Sequence, residues 1–201
     1  YLISLLIISI LISFFIVKNF NTNILINTIL ISSALYLFFI TLRDFFSKKY
    51  KNFAQNTAHF GFSLLILSIL FNNLFSSEII TNLKVGETYD NSKTKIVFES
   101  INQKKEKNYK SIIANFNITN SEGINNNLSP ELRIYNQPNI TTSEADIKTT
   151  LMKDKFIVIN LVQNQDYFNV RYQVKPFMLW IWLSVIMISL GGLVSFLQKR
   201  I

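Results

Sequence analysis

Cysteine is absent from the 201-residue chain, histidine occurs once and glycine only five times. Without cysteine there are no structural disulfides, no thiolate metal sites, no thiol redox chemistry and no thioether-linked cofactor. A single histidine inside an apolar stretch leaves no nucleophile–base pair of the hydrolase kind. No phosphate-cradling loop occurs, and no paired carboxylates fall within the apolar stretches. Glycine is scarce while Ile, Asn, Lys and Phe are abundant, the signature of an AT-rich coding sequence. Asn tracts such as Asn125–Asn127 therefore carry little functional weight.

What the chain does have is long apolar runs. It is 49% hydrophobic with a mean hydropathy of +0.28. Tyr1–Val17, Ile24–Leu42 and Phe177–Leu197 contain no charge, and Thr57–Phe75 is interrupted only by His59, Asn72 and Asn73. A helix rises about 1.5 Å per residue, so runs of this length match a hydrocarbon core of about 30 Å. The first run lacks a basic leader and a small-residue cleavage site, so it reads as a membrane helix and not as a signal peptide. It begins without Met, and the expectation is a C-terminal piece of a longer or split protein.

The net charge of +8 raises the question of nucleic acid, and the placement of the charges answers it. Residues 76–174 hold 12 Lys/Arg against 11 Asp/Glu, so that segment is nearly neutral. The excess lies beside the apolar runs, at Lys18, Arg43, Lys48, Lys49, Lys51, Lys175, Lys199 and Arg200. This is a membrane-topology pattern and not a phosphate-binding patch. The basic loop Arg43–Phe53 and the tail Gln198–Ile201 belong on the cytoplasmic side, which puts Ser76–Lys175 outside.

The outer segment reads as mostly β. Thr94–Ile101, Tyr109–Thr119, Leu132–Tyr135, Phe156–Val162 and Tyr167–Val174 are rich in β-branched and aromatic residues. Glu122–Gly123 and Asn125–Pro130 read as turns. Thr142–Met152 is open between a short helix capped by Ser143 and extended chain. The expected fold is thus an α-helical integral membrane protein of about four transmembrane helices, with a β-rich extracytoplasmic domain inserted before the last helix. The expected division is a membrane region over 1–75 (helices about 1–17, 24–42 and 55–75), the β-rich domain over 76–175, and a last helix and tail over 176–201.

Candidate site residues are few. His59 lies about one and a half turns into the third helix, where an ionisable side chain is costly unless paired. Neutral imidazole is also the commonest metal ligand. A hydrogen bond to a neighbouring helix is the ordinary alternative. Nearby Ala58 and Gly61 permit close approach of another helix or of a flat macrocycle. Glu131, Arg133 and Tyr135 share one face of a strand and suit an ion pair or a carboxylate site, or else a solvated face. Trp180 and Trp182 sit at the outer mouth of the last helix, where aromatic anchors are expected. Gly191–Gly192 reads as a close helix contact.

Four elements in order resemble the C-terminal portion of the CcmF family, the haem lyase of cytochrome c maturation. They are Thr57-Ala-His-Phe-Gly61, similar to the family's A-H-x-G, and Pro130-Glu-Leu-Arg-Ile-Tyr135, similar to its P-E-x-R-x-Y. Ser143–Ile147 followed by Lys153–Val158, and Pro176–Trp182 with Gly191–Gly192, complete the set. The resemblance spans roughly residues 43–200. It implies a protein that takes haem from a carrier protein and helps attach it to apocytochrome c beside other maturation subunits in the membrane, with quinol as a candidate electron source. It also implies a haem b of the protein's own, with His59 as one axial ligand to the iron. The second ligand is then not on this chain, although Met187 is a candidate to weigh. No catalytic residue is assigned to the chain itself. The location implied is the bacterial inner membrane with the large domain periplasmic, or alternatively the mitochondrial inner membrane. In the family's last helix a Gly often follows Trp-Ile-Trp, where this chain has Ser184. The competing expectation is a non-catalytic membrane subunit that docks partners through its outer domain.

Overall fold

The computed structural model describes residues 1–20, 22–46, 53–121, 123–162 and 166–198. Lys48, Lys49, Lys51, Glu122, Lys199 and Arg200, to which the sequence assigns topology or turn roles, lie outside the described residues. The chain divides into two compact units, one of Tyr1–Phe75 with Pro176–Ile201, the other of Ser76–Lys175.

The first unit is helical: α1 (Leu2–Val17), α2 (Ile24–Phe46), α3 (Phe53–Phe75) and α4 (Met178–Gln198). The last three are long and apolar enough to cross a membrane, and α1 is a shorter apolar helix of 16 residues. Hydroxyl groups within them bond back to carbonyls of the preceding turn: Ser9 Oγ to Leu5 O at 2.8 Å, Thr57 Oγ1 to Phe53 O at 2.8 Å, Ser184 Oγ to Ile181 O at 2.7 Å. These hydroxyls are thereby satisfied within their own helices, as a hydrocarbon solvent favours. Leu, Ile and Phe cover the outside, while Ser9, Ser13, Ser63 and Ser184 are fully buried.

Contacts between helices combine a buried cluster of Val17, Ile31, Ala34, Leu35 and Leu67 with small, polar and aromatic residues. Thr41 and Ser63 share a hydrogen bond of 2.6 Å between α2 and α3, beside stacked Phe45 and Phe60. On α3 and α4 the backbones themselves meet. A Cβ on Gly61 would stand 3.0 Å from Ser184 O and Ile188 N, and one on Gly191 would stand 2.7 Å from Ala54 O and Ala58 N. Gly192 has open space around it, so the close contact belongs to one glycine of the pair. At the head of α4, Phe177 adopts φ 60°, a left-handed conformation rare for a bulky residue. Its ring packs on Phe71 and Phe75, and Asn72 Nδ2 donates to the carbonyl of the preceding Pro176.

The second unit is a β-sandwich. Its strands are β1 (Ser77–Leu83), β2 (Thr88–Asp90), β3 (Thr94–Lys105), β4 (Tyr109–Asn120), β5 (Asn125–Leu128), β6 (Glu131–Tyr135), β7 (Thr141–Glu144), β8 (Asp146–Thr149), β9 (Lys153–Leu161) and β10 (Phe168–Pro176). One sheet runs β1-β10-β9-β8, the other β2-β3-β4-β6-β7 with β5 also pairing β4. Alternate side chains of each strand face inward. Ile96, Phe98, Phe116, Ile118 and Leu132 meet Ile157, Ile159, Val170 and Tyr172 in one buried cluster. Phe98 and Phe116 are cross-strand partners with stacked rings 4.4 Å apart. One reading is corrected here, since the Asn-rich segment expected as a turn forms β5, and one left open is resolved, since the segment from Thr142 forms most of β7 and all of β8.

Candidate functional site

The faces of α3 are set by its neighbours. Gly61 turns toward α4, and Ser63 bonds to Thr41 of α2. The remaining face carries Gln55, His59, Phe62, Ile69 and Asn73, all exposed. Their spacing of three, four or seven residues makes a single outward stripe. His59 has no hydrogen-bond partner among the described residues, so the interhelical bond offered as its ordinary role is not made there. A polar side chain on the lipid side of a spanning helix is costly until a second group meets it.

Other candidates near His59 are placed elsewhere. Ala58 packs beneath Gly191 and Gly61 beneath Ser184, so both small residues serve the α3–α4 contact. Met187 lies against Gly61, about 200° around α3 from His59 at 100° per residue, on the face turned away. The same antiparallel contact puts Trp180 and Trp182 further toward the opposite end of α3 than His59. Trp182 is 62% exposed and Trp180 half-buried. Among the described residues no three His, Cys, Asp or Glu side chains gather as a metal site.

In the sandwich, β6 holds Glu131, Arg133 and Tyr135 on one face. Arg133 Nη2 bonds Glu131 Oε2 at 2.9 Å, and Nη1 stands 3.9 Å from Glu144 Oε1 on β7. The guanidinium also lies over the ring of Tyr109, 5.3 Å from its centroid, and Tyr109 packs against Tyr135. The hydrogen bond from Arg133 holds the Glu131 carboxyl below its ordinary range, and the carboxylate in turn keeps the guanidinium more firmly protonated. The charges pair within the domain, although Arg133 Nε is buried without a hydrogen-bond partner. Glu78 on β1 takes hydrogen bonds from Gln173 and Arg171 of β10, and those bonds hold its carboxyl low. Sequence reading missed this second cluster, because only the β1–β10 register brings residues so far apart in the chain together.

Long apolar helices, with a β-sandwich inserted before the last of them, define an integral membrane protein bearing one sheet domain. The sandwich identifies which. Residues 74–176 match the family model described as the CcmF C-terminal beta-sandwich, and the chain belongs to that family. It is 27% identical over 143 residues to the cytochrome c-type biogenesis protein CcmF of Escherichia coli (strain K12), covering 71% of this chain and 22% of that protein. It is 23% identical over 173 residues to the cytochrome c-type biogenesis protein NrfE of Haemophilus influenzae, covering 86% of this chain and 27% of that protein. The solved structure named Cytochrome c Heme Lyase CcmF shares the fold, with a TM-score of 0.68 over 95% of this chain and 33% of that one at 14% identity. The chain thus spans about a quarter of the length of the curated relatives it matches.

Proposed function

We propose that this chain supplies the histidine-bearing helix and the outer β-sandwich of a cytochrome c-type haem lyase in a bacterial inner membrane, with residues 76–175 on the periplasmic side. A mitochondrial inner membrane is the alternative setting. One observation carries the reading. His59 stands on the outward stripe of α3 beside Phe62, with no hydrogen-bond partner among the described residues. Arg43 in the last turn of α2, together with the basic residues beyond it, supports the orientation.

The donor set fits one axial position of a haem b and no more. An imidazole on an apolar helix face offers a single nitrogen to the iron, and a planar macrocycle needs the flat, apolar flank that Phe62 and its neighbours provide. Met187, on α4, is turned to Gly61 on the far side of α3 from His59, which supports a second ligand from outside this chain. When bound, haem supplies one-electron chemistry at its iron, with membrane quinol as the electron source. The chain's own contribution is to hold His59 at a fixed depth and to keep water away from it. The sandwich then meets the haem carrier, apocytochrome c and the other maturation subunits. Trp180 and Trp182 anchor α4 at the interface, and Glu131, Arg133 and Tyr135 keep the β6 face rigid for such a contact.

A second reading is a non-catalytic docking subunit. It is favoured by the ion pairs of Arg133 with Glu131 and Glu144, which engage these charges within the domain. A reduced-minus-oxidised visible spectrum of the purified assembly, wild type beside His59→Ala, separates the two. Loss of the b-type signal in the variant, with the assembly intact, is the expected result. A variant that keeps the full signal, or a wild type free of haem, removes His59 from ligation and leaves docking as the function.

A further inference from the structure

The turn between β8 and β9 carries two large apolar side chains where turns ordinarily carry small or polar ones. Thr150 N donates to Lys153 O at 3.0 Å, and Thr150 Oγ1 bonds the same carbonyl at 2.7 Å, which leaves Leu151 and Met152 as the two central residues. Gly, Asn, Asp, Pro and Ser dominate such positions because they fit the backbone or bond to it. Leu and Met side chains offer no hydrogen bond to a turn backbone. They stand 60% and 53% exposed, with Ile147 of β8 at 56%. The core of the sandwich does not use them.

Topology says which end of the domain they occupy. Six residues, 162–167, join β9 to β10. That is too short for the parallel crossover, which takes about a dozen residues or more, so the two neighbouring strands are antiparallel. The start of β9 therefore lies beside the end of β10, and β1 begins at the same end, with Ser77 opposite Val174. The chain enters this end of the sheet from α3 and leaves it into α4 with almost no intervening residues. Lys148 is exposed beside the turn and Lys153 closes it. The acids nearby are Asp146, bound to the backbone N–H of Ser129 at 2.6 Å, and Asp154 on β9.

We propose that Leu151 and Met152 form an anchor that enters the headgroup–acyl boundary of the bilayer spanned by α3 and α4, with Lys148 and Lys153 set against anionic lipid phosphates. An apolar tip with a basic collar is the chemistry of such a boundary, where buried apolar area and attraction to anionic lipid act together. The anchor requires no haem and is independent of the role of His59.

The absence of cysteine makes the test direct. The protein carrying Met152→Cys with an environment-sensitive fluorophore is reconstituted in nanodiscs of phosphatidylglycerol and phosphatidylcholine that contain nitroxide-labelled lipid. Label at Leu179→Cys, in the first turn of α4, reports the membrane. Label at Val85→Cys, exposed beyond the far end of β1, reports solvent. The expected result is loss of most of the emission at 152, as at 179, with 85 unaffected. Adding Leu151→Asp returns the emission at 152 toward that at 85, and omitting phosphatidylglycerol weakens the quenching. Unquenched emission at 152 beside a quenched 179 overturns the proposal, including the case where a protein partner covers the tip and shifts its colour without exposing it to lipid.

Discussion

In the helical unit the fully buried side chains include Ser9, Ser13, Ser63 and Ser184, whereas in the sandwich they include Phe98, Phe116, Ile96 and Ile118. Outside, the order is reversed: Ile, Leu and Phe coat the helices, and Lys and Asn predominate on the sandwich. The same chain thus follows two rules of burial because its two parts meet two solvents. In water, large apolar groups gain by leaving the solvent, at about 25 cal/mol per Å² removed. In lipid that gain is absent, and helices associate where small residues let backbones approach and polar atoms find partners. The helical unit buries its serines beside Val17, Ile31, Leu35 and Leu67, whereas the centre of the sandwich is filled by Phe98, Phe116 and branched aliphatic side chains.

The contrast can be broken from either side. The largest effect belongs to Phe98→Ala, which empties the centre of the sandwich and loses the ring stacked on Phe116. Truncating a buried Phe costs about 3–5 kcal/mol, so β-sheet circular dichroism melts at much lower temperature while the helical signal persists. Gly191→Ala comes next. Its new methyl is driven against Ala54 O and Ala58 N at 2.7 Å, and overpacking of this kind costs about 1–3 kcal/mol. Cross-linking or energy transfer between α3 and α4 in micelles should report a loosened pair, with the sandwich melting unchanged. Ser63→Ala is the smallest. It removes the bond to Thr41, but interhelical hydrogen bonds in membranes average about 0.6 kcal/mol, and Thr41 keeps its carbonyls at Leu37 and Phe38. An Ser63→Ala effect as large as that of Phe98→Ala, measured by steric trapping, would refute the claim that the helical unit is held by many small contacts.

Much of the fold could be read from residues because each unit advertises its solvent. Charge-free runs located α2, α3 and α4, with ends that differ from those observed by up to four residues. Richness in β-branched and aromatic residues located β3, β4, β6, β9 and β10. The strands that escaped were those without a pattern of their own. Asn125–Leu128 reads as a turn from composition, yet β4 pairs with it, and Asn117 reaches Asn127 across the ladder. Tertiary pairing overrides a weak local preference there. Thr141–Glu144 and Asp146–Thr149 are too short and polar to show alternation. His59 could be picked out as the lone ionisable group of its helix, but not the direction in which it points. A helix apolar on every side has no stripe to orient it, and contacts with its neighbours, among them the glycine contacts and the Thr41–Ser63 bond, fix the rotation. The left-handed Phe177 left no trace in the sequence at all, since Gly or Asn would be expected to mark such a backbone.

The two glycine contacts between α3 and α4 have one more consequence. They clamp α3 on both sides of His59, at Ala54 and Ala58 toward one end and at Gly61 toward the other. A slip of one residue along α4 would shift the histidine by about 1.5 Å and turn it by about 100°, and would drive a side chain into backbone at each contact. The pair of glycines is in effect a depth gauge: it sets how far into the bilayer the imidazole is held, with a tolerance smaller than one step of the helix.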